Sequence, residues 1–520
     1  TNMMHISSFL LVAIFLVGGL VVPTPAEQDL ASFRLLTPFE QEQALVLVIS
    51  KAEGSSYETV GLEGGTLETT PAVMTMRNLA STPSRHYEFS FGLNRMLQEL
   101  FGDAHTRVEV SNVQQWSYLG LDICLSWLFD DEPSLVSTCE TDYANVGDLV
   151  VSLGGLSPAD IFDELQSTIP HENDFFLREL PQSWLGREDF LGYLGILLVQ
   201  EEYSTVDIVL ERDGTTQSPV SVPLIANGTS IDNEGESPVF VSYEIYNESS
   251  TGVFTLNDCI FDQEYAMVLE EFWTKVKSSR GVIDTVVLDL RKNRGGEFAV
   301  GVAFLNHLAD SYQLFDVMQR QSEDLCIQTP NLCAPQTLEF LEQLGLNTSS
   351  PVLELPGSVL SIFLGQLVGP APTDKFDGEL FVLTSGATFS SAHLIAGTVQ
   401  ENELGKLVGE PTGNSPSFWG NLLTFALPST DLTFFLATSV NVLLLVPDGG
   451  GNDDTIYPDV LVPTTRQDIM ESKDAQLDWV LTRNDDMVSP VSAVSSAGNT
   501  GHCRISIFTC TMFALWVLLK

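Results

Sequence analysis

The hydrophobic pattern changes character along the chain. Glu88 to Phe101 carries Phe89, Leu93, Met96, Leu97, Leu100 and Phe101 at helical spacing, and Gly102 ends the run. Residues 27–102 therefore read as mainly helical. Thr106 to Val110 alternates as a short strand. The run from Val146 through Gly154-Gly155 reads as strand then turn, Pro158 to Leu165 as a helix, and Thr205 to Arg212 as an alternating strand ended by Asp213-Gly214. A Gly/Ser/Asn/Glu-rich stretch at 228–237 marks a linker or exposed loop. Beyond it, Thr285 to Leu290 is almost continuously apolar, as a strand buried on both faces would be. A turn (291–296) and a helix (297–308) follow. Leu380 to Leu383 is a second such strand. It leads through the small-residue turn Thr384 to Phe389 into a helix, Ser390 to Asn402, and Leu407-Val-Gly returns to strand. Strands alternating with helices predict an α/β core.

Both ends carry apolar runs of their own. Phe9 to Val22 is too short to span a bilayer comfortably and has the length of a signal-peptide core. Thr24-Pro25-Ala26 supplies small residues before a cleavage point ahead of Glu27. Ile505 to Leu519 forms the second run. Ser495, Ser496, Ala497 and Gly498 precede it, then a polar spacer, which is the pattern of a GPI-anchor signal with Ser496 as candidate attachment residue. A single-pass tail anchor is the alternative. The resulting organisation is a signal peptide (1–26), a mainly helical region (27–115), an α+β module (116–230), an α/β core (238–482), and a linker with anchor signal or membrane tail (483–520).

An exported chain gives meaning to other features. Sequons stand at Asn227, Asn247 and Asn347, predicting glycosylated surface loops. Of seven cysteines, Cys503 and Cys510 fall in the tail. Among the other five, spacing offers Cys326 with Cys333 and Cys124 with Cys139 as disulfide candidates, leaving Cys259 over. The predicted location is secreted or extracellular cell surface.

Charge narrows the partners. The chain holds 23 Lys+Arg against 69 Asp+Glu, a formal net of −46. Such a field repels phosphate backbones and argues against nucleic acid or a basic membrane-surface patch. With 44% hydrophobic residues the chain has enough apolar material for sizeable cores. No CxxC pair, HExxH motif or P-loop occurs, and the acidic loop Asp448 to Asp454 lacks the spacing of a calcium loop. No metal or cofactor is therefore expected.

The chemistry concentrates in Leu383-Thr-Ser-Gly-Ala-Thr-Phe-Ser-Ser-Ala-His. A small-residue turn between a buried strand and a helix presents a hydroxyl at a helix N-terminus, where backbone amides stabilise an anion. Four segments in order then resemble the C-terminal processing (tail-specific) protease family: Val287-Leu-Asp-Leu-Arg-Lys-Asn-Arg-Gly-Gly, Thr388-Phe-Ser-Ser-Ala, Leu407-Val-Gly-Glu-Pro-Thr-Gly and Tyr457-Pro-Asp-Val-Leu-Val. Upstream, Leu100-Phe-Gly-Asp-Ala-His-Thr resembles the family's "DxHT" element, and the module from Val146 resembles a PDZ-like insert.

The resemblance implies a ClpP/crotonase-like spiral core of α/β class, with an N-terminal helical region and a PDZ-like α+β insert. It implies a serine peptidase acting on an extended peptide or protein. The nucleophile would be Ser390, and the oxyanion hole the Ser391 amide with an amide of the Gly295-Gly296 turn. The lysine of the Ser/Lys branch would fall at Ser415, and Lys406 lies one strand too early. The histidine-using branch fits instead, with His105 as general base, although Ala104 stands where some relatives carry serine. Asp453 or Asp454 is the candidate orienting carboxylate. His393, one helical turn after Ser390, reads as a packing or surface residue, and His86, His171 and His307 as structural. A non-catalytic ligand- or peptide-binding protein on the same fold is the alternative. A lipase or esterase lacks its Gly-x-Ser-x-Gly elbow here.

Overall fold

The computed structural model describes residues 34–56, 66–110, 119–129, 132–180, 184–199, 204–226, 239–279, 282–443 and 455–482. The leading and trailing apolar runs, Asn227, Asp453, Asp454 and Ser496 lie outside them. No helix among the described residues is long and apolar enough to cross a membrane.

The core is a six-stranded sheet in the order 241–246, 251–256, 285–289, 379–384, 406–409, 460–461. The first pair is antiparallel and every later pairing is parallel. The apolar run at 285–290 is explained by its neighbours. Val286 and Leu288 face the cluster built by helices Gln263–Ser278, Ala299–Leu305 and Ser391–Glu401. Val287 faces the opposite cluster, with Phe381, Leu383, Val408 and the C-terminal helix residues Trp479 and Val480. A parallel strand covered on both faces has no solvent side to leave polar. The expected α/β core is what the structure shows.

A second sheet decides where the N-terminal region sits. The long hairpin Ser417–Leu427 and Leu432–Val442 is flanked by Asp316–Arg320 and Val352–Leu355. Strand Arg107–Val110 joins it, pairing antiparallel with Leu432 to Phe435. Asn94, on helix His86–Phe101, grips Val108 through both backbone groups (2.7 and 3.0 Å). Phe89, Leu93, Met96 and Leu97 pack with Leu432, Phe434 and Leu436 in one cluster. The apolar face of that helix is thus buried against the core hairpin, which brings the Asp103–Thr106 turn to the core.

Residues 119–226 form an all-antiparallel sheet centred on Ser204–Arg212, with helices Pro158–Thr168, Asp174–Glu179 and Glu188–Tyr193 and a hydrophobic cluster of its own. The Cys124–Cys139 disulfide (Cα–Cα 5.5 Å) lies in this module and Cys326–Cys333 (5.4 Å) in the core. Cys259 is buried and free. Asn247 and Asn347 both sit in described turns.

Candidate active site

Strand Glu379–Thr384 delivers the chain into a turn stitched to its neighbour. Ser385 Oγ donates to Arg291 O (2.7 Å), Thr388 Oγ1 to Leu290 O (3.0 Å), and Phe389 N–H to Asn293 O (3.0 Å). Asn293 organises the facing turn. Its Nδ2 donates to Leu256 O (2.8 Å), and its Oδ1 accepts from Gly295 N–H (2.8 Å) and from the Cys259 thiol (3.3 Å). The Asp-Leu-Arg portion is structural. Arg291 pairs with Asp289 (2.7 Å) and with Asp474 on the closing segment (2.6 Å).

Ser390 ends this turn with φ 54° and ψ −122°, a conformation that non-glycine residues rarely adopt. Its hydroxyl does not cap the following helix, and the residue lines a cavity of about 460 Å³. Its N–H is held by Asn414 Oδ1. Gly295 (φ 100°) lies so close that an added Cβ would fall 2.5 Å from Ser390 Cβ. Only glycine allows this contact between the two turns.

The amides beside Ser390 divide cleanly. Ser391 opens helix Ser391–Glu401, so its N–H has no acceptor within the helix. Both amides of the Gly295-Gly296 turn were candidates, but the Gly295 N–H is taken by Asn293. The bridge to Cys259 runs through Gly295 O and Glu297 N, leaving Gly296 N–H uncommitted among the described residues. Ser391 Oγ donates to Gly296 O (2.6 Å) and so fixes one amide carrier against the other. Ser391 N–H and Gly296 N–H form a pair able to receive an oxyanion.

His105 lines the same cavity, with no direct hydrogen bond to Ser390. Its ring stacks on Phe389 (4.6 Å between centroids) and faces Phe418 (5.7 Å). Its Nδ1 points to two carboxylates, 3.7 Å from Asp103 Oδ1 and 4.0 Å from Glu172 Oε1. Nε2 is left as the nitrogen available to the cavity. Asp103 is tied down by the backbone N–H groups of His105 (2.7 Å) and Thr106 (3.0 Å). Glu172 Oε2 accepts from Asn414 Nδ2 (3.0 Å) and Ser415 N–H (2.9 Å).

Burial governs the protonation of the cluster. It pushes His105 down to about 3, with Arg107 and His393 adding to the effect. It raises Asp103 to about 6 against the pull of the Thr106 and His105 hydrogen bonds. Burial and the nearby Asp103 lift Glu172 well above the usual carboxylate range. Each shift is toward the neutral form, and a value of about 6 still leaves Asp103 mostly ionised at neutral pH. A neutral imidazole is the form that accepts a proton.

Several sequence candidates have settled places. His393 is fully buried and bonds Thr412 Oγ1 through Nδ1 (2.8 Å), a packing position and not a surface one. No lysine lines the cavity, and Ser415 gives its amide to Glu172. Sequence reasoning overlooked Glu172 and Asn414. The available signals were the polar run His171-Glu-Asn-Asp between Ile169-Pro170 and Phe175-Phe176, and Asn414 beside the position where the lysine would fall.

A strained serine at a strand–helix turn, two backbone amides beside it and a buried imidazole thus border one cavity above a buried parallel sheet, an arrangement of the kind serine hydrolases use. Residues 250–434 match the model of peptidase family S41. Three solved structures share the fold. Mature CPAF is 15% identical, with 86% of this chain and 99% of that chain covered and a TM-score of 0.57. A serine-to-alanine mutant of CPAF is 14% identical (85% and 96% covered, TM-score 0.59). Mature CPAF complexed with lactacystin is 15% identical (86% and 100% covered, TM-score 0.54). No curated protein matches the sequence.

Proposed function

We propose that this protein is a serine endopeptidase of the histidine-using kind, exported and held at the cell surface. The observation that carries the reading is the cavity shared by Ser390 and His105, with the His105 Nδ1 side closed by buried carboxylates. Ser390 Oγ attacks the scissile carbonyl, and His105 Nε2 takes its proton. Ser391 N–H and Gly296 N–H stabilise the oxyanion, a contribution commonly of about 3–4 kcal/mol per donor. Protonated His105 returns the proton to the leaving amine, and water then hydrolyses the acyl-enzyme. Asp103 stabilises the imidazolium while it exists, and the charged ring in turn draws Glu172 toward ionisation. Catalytic hydrogen bonds often tighten only with substrate bound, and the Ser390–His105 bond is expected to close at that step. Phe176, Trp184, Phe389 and Leu394 line the cavity, which favours an apolar side chain of an extended peptide.

Two disulfides support an oxidising, extracellular setting. The N-terminal run, the three sequons and the C-terminal pattern support export, glycosylation and a GPI anchor at Ser496.

The test is reaction with a fluorophosphonate probe. Wild type labels, Ser390→Ala does not, and His105→Ala labels far more slowly. Labelling that survives Ser390→Ala removes the assignment. A folded wild type that never labels selects the second reading, a binding protein, which the apolar cavity lining also favours.

A further inference from the structure

The Nδ1 side of His105 holds more polar surface than a general base requires. One donor atom from each of Asp103, His105 and Glu172 lies within 4.8 Å of the other two, and His105 Nδ1 stands 3.7 Å from Asp103 Oδ1 and 4.0 Å from Glu172 Oε1. Their side chains are 2, 7 and 3% exposed. The separations of 3.7 and 4.0 Å exceed hydrogen-bond length. His105 Nδ1 and Glu172 Oε1 are both buried and have no hydrogen-bond partner. Unpartnered buried polar atoms aimed at one point carry a desolvation cost that a ligand between them would relieve.

We propose that Asp103, His105 and Glu172 bind one divalent transition cation of the zinc type, and that the bound ion switches off the serine site. The second half rests on the peptidase reading above; the first half does not. One imidazole nitrogen with two carboxylate oxygens is a donor set that suits zinc, and the imidazole argues against magnesium or calcium. Binding displaces the proton that burial keeps on Glu172, and the two carboxylates then balance the charge of the ion. Ligands of tetrahedral zinc stand about 3.3–3.5 Å apart, so the three atoms close by a few tenths of an ångström to about one. The outer oxygens are already fixed, Asp103 Oδ2 by Thr106 N–H and Glu172 Oε2 by Asn414 and Ser415. Such outer hydrogen bonds orient metal ligands.

The consequence for the base follows from imidazole chemistry. A cation on Nδ1 uses the lone pair there, and the neutral ring keeps its one proton on Nε2. Nε2 then has no lone pair to accept the proton of Ser390. Removing the ion frees Nδ1 to carry the proton and restores the base.

Equilibrium dialysis of the full Ser390→Ala chain against zinc chloride tests the site without requiring activity. One tight equivalent is expected, weakened about ten-fold or more in added Glu172→Gln or Asp103→Asn backgrounds whose folding is checked by circular dichroism. Cobalt in the Ser390→Ala chain should show visible d–d absorption of an imidazole-ligated ion, a readout that leaves the cluster unaltered. No tight equivalent, or tight zinc unaffected by both substitutions as for adventitious surface carboxylates, overturns the proposal. Fluorophosphonate labelling of wild type should slow about ten-fold or more with zinc and recover with EDTA. Unchanged labelling with zinc bound overturns the switch. Cluster-dependent zinc binding in a chain that never labels leaves the metal site standing and removes the peptidase reading.

Discussion

The side-chain amide of Asn414 donates a 3.0 Å hydrogen bond to Glu172, across 242 residues of sequence. The same side chain accepts the Ser390 N–H through its oxygen. One residue therefore ties the strained Ser390 to the carboxylate behind His105. Asn414 acts through Ser390 and Glu172, so it is a positioning residue.

Asn414→Ala should lower kcat about ten-fold, the equivalent of about 1.4 kcal/mol, with KM little changed. Asn414→Asp keeps the acceptor for Ser390 N–H and sets a like charge against Glu172, so its defect should deepen as pH rises. Steady-state kinetics on a peptide substrate checks both. An equal rise in KM would place Asn414 in substrate binding instead.

Gly295→Ala should abolish activity while leaving a folded chain. A methyl group there meets Ser390 Cβ at 2.5 Å and occupies a φ of 100°. A penalty of roughly 2–4 kcal/mol is expected from strain and overpacking. Probe labelling together with thermal unfolding measures the two effects separately.

The acid limb of the pH profile should be displaced downward. A histidine in water gains its proton near pH 6.5. Burial moves His105 to about 3, so the base stays unprotonated as pH falls from about 7 to about 5. Labelling rates should therefore hold across that interval. Stability runs the other way. The unfolded chain takes up the His105 proton below about pH 6.5 and the folded chain does not, so this group lowers stability as pH falls. A labelling rate that collapses near pH 6.5 would show a solvated base.

Glu179 offers a contrast of opposite sign. Burial and the neighbouring Glu410 raise it to about 7, against Ser385, Arg294 and Lys292. As an acid with a raised pKa, it costs nothing below its unfolded value. Its cost to folding builds as pH rises above the unfolded value and is fully present above about 7. Glu179→Gln should raise the melting temperature at pH 8, by a free energy on the order of 1–2 kcal/mol, with the gain gone by about pH 4. A gain that is constant with pH would trace to packing instead.

The sequence by itself determined the elements and the chemistry written within them. Apolar continuity at Thr285–Asp289 and Glu379–Thr384 marks strands covered on both faces, and the small residues after them mark the turns that present Gly295, Gly296 and Ser390. These are local properties, fixed by side-chain period and by where the backbone needs glycine. The pairing of Arg107–Val110 with the hairpin strand Leu432–Val442 belongs to the tertiary structure, and it carries His105 to a serine 285 positions away. The choice between two glycine amides was likewise decided there, by the hydrogen bond Asn293 makes to Gly295. So was the approach of Glu172, which sequence reasoning passed over for Asp453 and Asp454, outside the described residues. Those outcomes depend on which faces pack together, and packing joins residues with no periodic relation in the chain.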